Sequence, residues 1–109
     1  MDIIRLDDTV SVAGQIAPQD MRALVDQGFR SIICNRPDGE EPGQPAWAEV
    51  EAAAKEAGLE TRFIPIASAE DIVARKDDFA QALAQIPAPV LAFCRTGNRS
   101  GRLYEASRS

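Results

Sequence analysis

Apolar and polar positions change their period several times along this chain. Near the start, "DIIRLDDTVSVAG" alternates in short runs around Asp7 and Asp8, the pattern of two short strands joined by a turn. In "APQDMRALVDQGF", Met21, Leu24 and Val25 recur at helical spacing. Pro18 stands where a first helical residue would, and Gly28 where a helix stops. "RSIICN" then reads as a short buried strand. A second helix is predicted over "AWAEVEAAAKEAG", with Trp47, Val50, Ala54 and Ala57 on one face and Gly58 ending it. "ETRFIPI" predicts a strand and "DDFAQALAQI" a third helix with the stripe Phe79, Leu83 and Ile86. "PVLAFC" is the last strand, and "SGRLYEASRS" opens a last helix that stops early, at Ser109.

Strands that alternate with helices require parallel crossovers. The expected fold is therefore α/β, in three layers, with a mainly parallel central sheet and flanking helices, as a single domain over residues 1–109. In such sheets ligands sit beyond the carboxyl ends of the strands. Two loops leave such ends here: "NRPDGEEPGQP", residues 35–45, after the third strand, and "CRTGNRS" after the last. They are the candidates for a shared site.

The second loop carries nucleophile chemistry. Cys94 is the first residue off an apolar run, Gly97 permits a backbone conformation closed to other residues, and a helix opens near Ser100 and Gly101. The amides of residues 95–100 can thus converge on one spot at a helix N-terminus, a place suited to an anion. Arg99 adds a planar, permanently charged fork. Such surroundings favour thiolate over thiol. Cys94 and Arg99 are the expected catalytic pair, with Arg95, Thr96, Gly97, Asn98, Ser100 and Arg36 binding substrate around them. Several of these admit a plainer reading. Arg36 either reaches the anion or only pins its loop through Asp38 or Glu40. Arg95 either recruits substrate or is solvated. Asn98 and Ser100 either hydrogen-bond the thiolate or brace the loop. Cys34, ending the third strand, is either a resolving thiol or an inert core residue, and Arg102 is expected on the surface. Glu40 and Glu41 suggest acid–base chemistry or a metal, but in a Pro/Gly loop without other ligands they read as a solvated turn.

Composition narrows the classes. With 17 acidic against 12 basic residues and a net charge of −5, the chain is a poor nucleic-acid binder. It has no histidine, which excludes histidine triads and histidine-ligated metals, and two cysteines alone do not make a zinc site. No metal or cofactor is expected. No apolar stretch is long enough to span a bilayer, and "MDIIRLDD" lacks the basic and apolar regions of a signal peptide. A cytoplasmic chain with reduced thiols, not bound to a membrane, is the expectation.

Cys94-Arg95-Thr96-Gly97-Asn98-Arg99-Ser100 resembles the active-site loop of rhodanese-type sulfurtransferases and is similar to the Cys-x5-Arg loop of tyrosine and dual-specificity phosphatases. Taken with "VAGQIAPQDMRALVDQGFRSIICNRPDGEEPGQP" and "FIPI", it resembles the bacterial β-lactamase-hydrolase-like family. That resemblance implies a dual-specificity-phosphatase-like fold. It also implies possible partners, since relatives occur fused to persulfide dioxygenases or to sulfide-oxidising flavoproteins.

Two features bear on the reaction. Four residues separate Cys94 from Arg99, the rhodanese spacing, where the phosphatase loop has five. Dual-specificity phosphatases place an Asp just after the segment that "FIPI" resembles, to protonate a leaving group such as a phenolate of pKa about 10. Here Ala67 and Ser68 follow, the first acids are Glu70 and Asp71, and Asp38, Glu70 or Asp71 would have to be delivered by a mobile loop. Sulfur transfer from thiosulfate expels sulfite and needs no such acid. The leading expectation is a sulfurtransferase that forms a Cys94 persulfide from thiosulfate or another small anionic sulfur compound. The alternatives are a phosphatase acting on a phosphate ester through phosphocysteine at Cys94, and a non-catalytic persulfide-sensing or docking module.

Overall fold

A computed structural model describes residues 1–108 of the chain. Five strands form one sheet: β1 (Ile3–Arg5), β2 (Val10–Ala13), β3 (Ser31–Cys34), β4 (Glu60–Phe63) and β5 (Val90–Phe93). Their order is β1-β2-β5-β3-β4, and only the β1–β2 pair is antiparallel. The mainly parallel sheet and the flanking helices are those expected from the strand–helix alternation.

The period-2 alternation of the strands sorts the core into two layers. Val10, Val12, Ile33, Val90 and Ala92 face Ile72, Phe79, Ala82 and Leu103, which come from α3 (Ala69–Gln85) and α4 (Asn98–Ser107). Ala13, Ile32, Cys34, Leu91 and Phe93 face Met21, Leu24, Trp47, Val50 and Ala54, which come from α1 (Met21–Asp26) and α2 (Trp47–Glu56). The central strand β5 is buried along its whole length, as its unbroken apolar run requires.

Some predicted elements shift. The segment Pro18–Asp20 is a 3-10 turn leading into α1, and Val25 is exposed because the helix buries only Met21 and Leu24. Ala57 caps α2 and faces solvent, so Trp47, Val50 and Ala54 make up its buried face. The third helix starts at Ala69, eight residues before the predicted Asp77, because the Ser68 hydroxyl accepts from the Asp71 amide and caps it. The strand predicted through Ile66 leaves the ladder after Phe63, although Ile64 and Ile66 still donate to the carbonyls of Cys34 and Asn35. The last helix opens at Asn98, two residues early, and its predicted end at Ser109 lies outside the described residues. Among the described residues, no helix is long and apolar enough to cross a membrane.

Registers place the site. Ala13, Phe93, Cys34 and Phe63 pair side by side across β2, β5, β3 and β4, so four strands end level at one edge. Cys94, Asn35 and Gly14 each follow one of those ends.

Candidate active site

Cys94 leaves β5 with no exposed surface, its amide donating to Ala13 O. The loop then turns sharply. Gly97 sits at φ 94°, a left-handed conformation that disfavours any side chain, and a Cβ there would meet the backbone of Ala13. Gly14 is required for a different reason, close approach: a Cβ on it would lie 3.0 Å from Arg95 O. The turn directs the Gly97 amide at Cys94 Sγ, 3.1 Å away.

Burial opposes ionisation of this thiol. The amides of Ser100 and Thr96, the Ser100 hydroxyl and the Gly97 amide outweigh that penalty and hold Cys94 below the ordinary thiol range. Cys34 behaves oppositely. Burial pushes it up to about 12, so it stays a thiol at neutral pH and is a poor resolving nucleophile.

The amides that surround the sulfur come from both sides of the loop, so the loop must be held rigidly. Ser100 Oγ donates to Asn35 Oδ1 at 2.8 Å, and Asn35 Nδ2 donates to Ile64 O at 2.9 Å. Asn35, fully buried, thus ties the ends of β3, β4 and β5 to the thiolate loop. Sequence reasoning passed over it. The available signal was a polar residue directly after a buried strand, level with the nucleophile.

Arg99 reaches back over this end of the sheet. Its Nη1 donates to Ile66 O at 2.8 Å, and its two terminal nitrogens meet Glu40 at 2.7 and 2.8 Å as a fork. Glu40, then the Cys94 thiolate, hold the guanidinium more firmly protonated than usual. Arg36 is 4% exposed and gives its three kinds of donor to Glu40, Glu41 and Gln15. It therefore pins the 35–45 loop, through Glu40 as expected but through Glu41 in place of Asp38. Arg95 is exposed and pairs with Glu41 at 2.6 Å. The solvated turn expected at Glu40 and Glu41 is thus a bracket of ion pairs joining the two loops. Glu40, Glu41, Ala67, Arg95 and Arg99 line a hollow of about 560 Å³.

The remaining expected residues divide. Thr96 is exposed and its hydroxyl accepts from the Asn98 amide. Asn98 and Arg102, both exposed, line a separate hollow with Leu6 and Gly101. Asp38 accepts from the Trp47 amide at 2.8 Å and Asp71 from the Ala67 amide at 2.8 Å. Both expected acids are engaged at helix starts. Glu40 is the carboxylate in the hollow that touches Arg99. Its partners Arg99 and Arg36 pull it down to about 2, so at neutral pH it is an anion with no proton to give.

The mainly parallel five-stranded sheet with flanking helices, and a buried cysteine facing backbone amides at the start of α4, place the chain in the class of phosphatase-like folds. Residues 2–109 match the model for the beta-lactamase hydrolase-like protein, phosphatase-like domain, and the chain belongs to that family. A beta-lactamase hydrolase-like protein of Agrobacterium fabrum is 40% identical over 104 residues, covering 95% of this chain and 24% of its own length. The chain therefore spans about a quarter of the curated relatives it matches. A crystal structure from Neisseria meningitidis, described as that of a candidate phosphatase, superposes with a TM-score of 0.83. It is 33% identical, and the match covers 95% of this chain and 74% of that one. Pseudomonas aeruginosa TpbA, solved with phosphotyrosine, superposes at 0.60 with 15% identity, covering 91% of this chain and 57% of TpbA. That degree of likeness shows the fold alone.

Proposed function

We propose that this chain is a cysteine-dependent phosphatase-type enzyme. The Cys94 thiolate attacks the phosphorus of a phosphate ester, forming an S–P bond as the P–O bond to the leaving group breaks. Water then attacks phosphorus, releasing inorganic phosphate and restoring the thiolate. The observation that carries this reading is the amide cradle around Cys94 at the start of α4, in a chain of a phosphatase-like family. Arg99 and the amides of Thr96, Gly97 and Ser100 are the donors for the phosphoryl oxygens. Arg95 and Arg36, both paired with Glu41, hold the 35–45 loop beside them. Asp38 and Asp71 serve helix starts and Glu40 is held ionised, so the favoured substrates are those whose leaving groups depart without a proton. Aryl phosphates with acidic phenols and mixed phosphate anhydrides belong to that class. With both cysteines as free thiols, the reaction suits a reducing compartment such as the cytoplasm.

One observation favours a second reading, sulfane-sulfur transfer from thiosulfate or a persulfide. The Cys94–Arg99 spacing is one residue shorter than the phosphatase loop, and sulfite leaves without protonation. In that reaction Cys94 sulfur bonds the outer sulfur of thiosulfate, the S–S bond breaks, and sulfite leaves with the electron pair. A persulfide dioxygenase or sulfide-oxidising flavoprotein would be the fitting partner.

One experiment decides between them. The chain is incubated separately with para-nitrophenyl phosphate and with thiosulfate, and its whole-protein mass and turnover are followed. Nitrophenol release that depends on Cys94, without a sulfur adduct, supports the phosphatase. A Cys94 persulfide that passes its sulfur to cyanide, without phosphate release, replaces it with the second reading.

A further inference from the structure

The charged side chains around this site are already paired with one another. Arg99 meets both oxygens of Glu40 at 2.7 and 2.8 Å through Nη1 and Nη2, a fork suited to an oxyanion. Arg95 is paired with Glu41, and Arg36 with both carboxylates. Three guanidinium groups thus face two carboxylates, so once Cys94 ionises no net positive charge is left to draw in a dianion. Cys94 itself has no exposed surface in this state.

These groups also have partners other than the Glu40 carboxylate. Arg99 keeps its bond to Ile66 O, so its fork stays aimed at the site. Arg36 keeps Glu41 and Gln15. The loop backbone keeps its own braces, with the Glu40 amide donating to Gln44 Oε1 and Gln44 Nε2 donating to Pro37 O. The Glu40 side chain is 25% exposed, and its loop runs between Gly39 and Gly43, both at positive φ. Withdrawing the carboxylate therefore releases a prepared donor set and does not dismantle it.

We propose that Glu40 is a built-in competitor that occupies the Arg99 fork in the resting protein, so that substrate enters by displacing it. The proposal rests on the reading of the site as an anion-transfer centre and deepens it toward a substrate class. A tethered carboxylate competes at an effective concentration on the order of millimolar or above. A free monoanion with one carboxylate cannot match it. A dianionic, tetrahedral oxyanion brings more charge and more acceptors to the same fork, and so the exchange selects phosphate monoesters over diesters and carboxylates.

The test is calorimetric titration of the whole chain with inorganic phosphate, beside acetate as the monoanion. Glu40→Gln is expected to tighten phosphate about tenfold or more, the scale of one charge-assisted pair. It should also bring acetate binding into range. In an Arg99→Met background the same substitution is expected to change phosphate affinity little, since the fork for which Glu40 competes is gone. The ratio of Cys94 alkylation by iodoacetate to that by iodoacetamide should rise more in Glu40→Gln than it does when the same substitution is made in the Arg99→Met background, where only the lost charge remains. Phosphate bound equally or more weakly by Glu40→Gln makes Glu40 a brace for Arg99 and overturns the proposal. A gain that persists in Arg99→Met would show a diffuse charge effect and also overturns it. If neither parent nor variants bind phosphate, the anion-transfer reading falls together with the competitor.

Discussion

The Cys94 thiol is held below its ordinary range because of where its neighbours' amides point. Ser100, Thr96 and Gly97 supply the leading influences on the sulfur, and Arg99 also interacts with it. Alkylation of Cys94 should therefore persist well below the pH at which an unperturbed thiol loses its reactivity. The profile is measured on the Cys34→Ser chain, and Cys94→Ser should abolish fast labelling. Cys34, held near 12, should label only slowly, and a fast second thiol at neutral pH would contradict its burial. Arg99 has a different job, because a fork is needed to grip two oxygens at once. Arg99→Lys keeps the charge and loses the fork, so turnover should fall about ten- to a hundredfold while the thermal melt stays near that of the parent. Full activity in that variant would remove Arg99 from the substrate.

At the scale of elements, both expected acids hold backbone amides near helix starts. Asp38 holds the first amide of α2, and Asp71 holds the Ala67 amide while Ser68 caps α3. Asn offers the same kind of acceptor oxygen to such an amide, whereas Ala removes it at about 1 kcal/mol. Asp38→Asn and Asp71→Asn should then retain both stability and turnover, while the Ala variants lose stability alone. A drop in turnover at normal stability in either Asn variant would restore that residue as a proton donor. The 35–45 loop carries a pH signature of its own. Glu40 titrates near 2 when folded, against an ordinary value of 4.5. Its contribution to stability is complete above about pH 4.5 and is lost as pH falls toward about 2. Urea unfolding of the parent should thus weaken more steeply over that window than unfolding of Glu40→Gln, and parallel curves would break the assignment.

Across the whole molecule, the site is an outcome of register. Four strands end level, which brings Asn35, Cys94 and Gly14 together from distant stretches of chain. The opposite side is closed by a tie between the ends of the fold. The Asp7 carboxylate takes the amides of Thr9 and Val10, the Tyr104 hydroxyl and Arg108, and the Tyr104 hydroxyl above all holds it well below the usual carboxylate range. Asp7 is partly open to solvent, so Tyr104→Phe should cost only about 1 kcal/mol in urea unfolding. Its effect on Cys94 alkylation should be absent, since α4 holds the thiolate at its other end. A loss of alkylation there would mean that the tie also sets the loop.

The sequence by itself determined the alternation of strands and helices, the mainly parallel sheet, and the thiolate loop. Those signals are local: an apolar run, a cysteine, a glycine that tolerates positive φ, and a helix start within a few residues. What it could not show was which side chains from separate loops would meet. Glu40 reads as a solvated turn residue until the end of β3 is set beside the end of β5, and only then does it stand in the fork of Arg99. Asp38 and Asp71 read as free acids until the amides they hold are located. Asn35 reads as the first residue of a loop until Ser100 is brought to it across 65 positions of sequence. Hydrogen bonds and ion pairs between residues so far apart depend on strand order and register, and no short window of sequence carries that information.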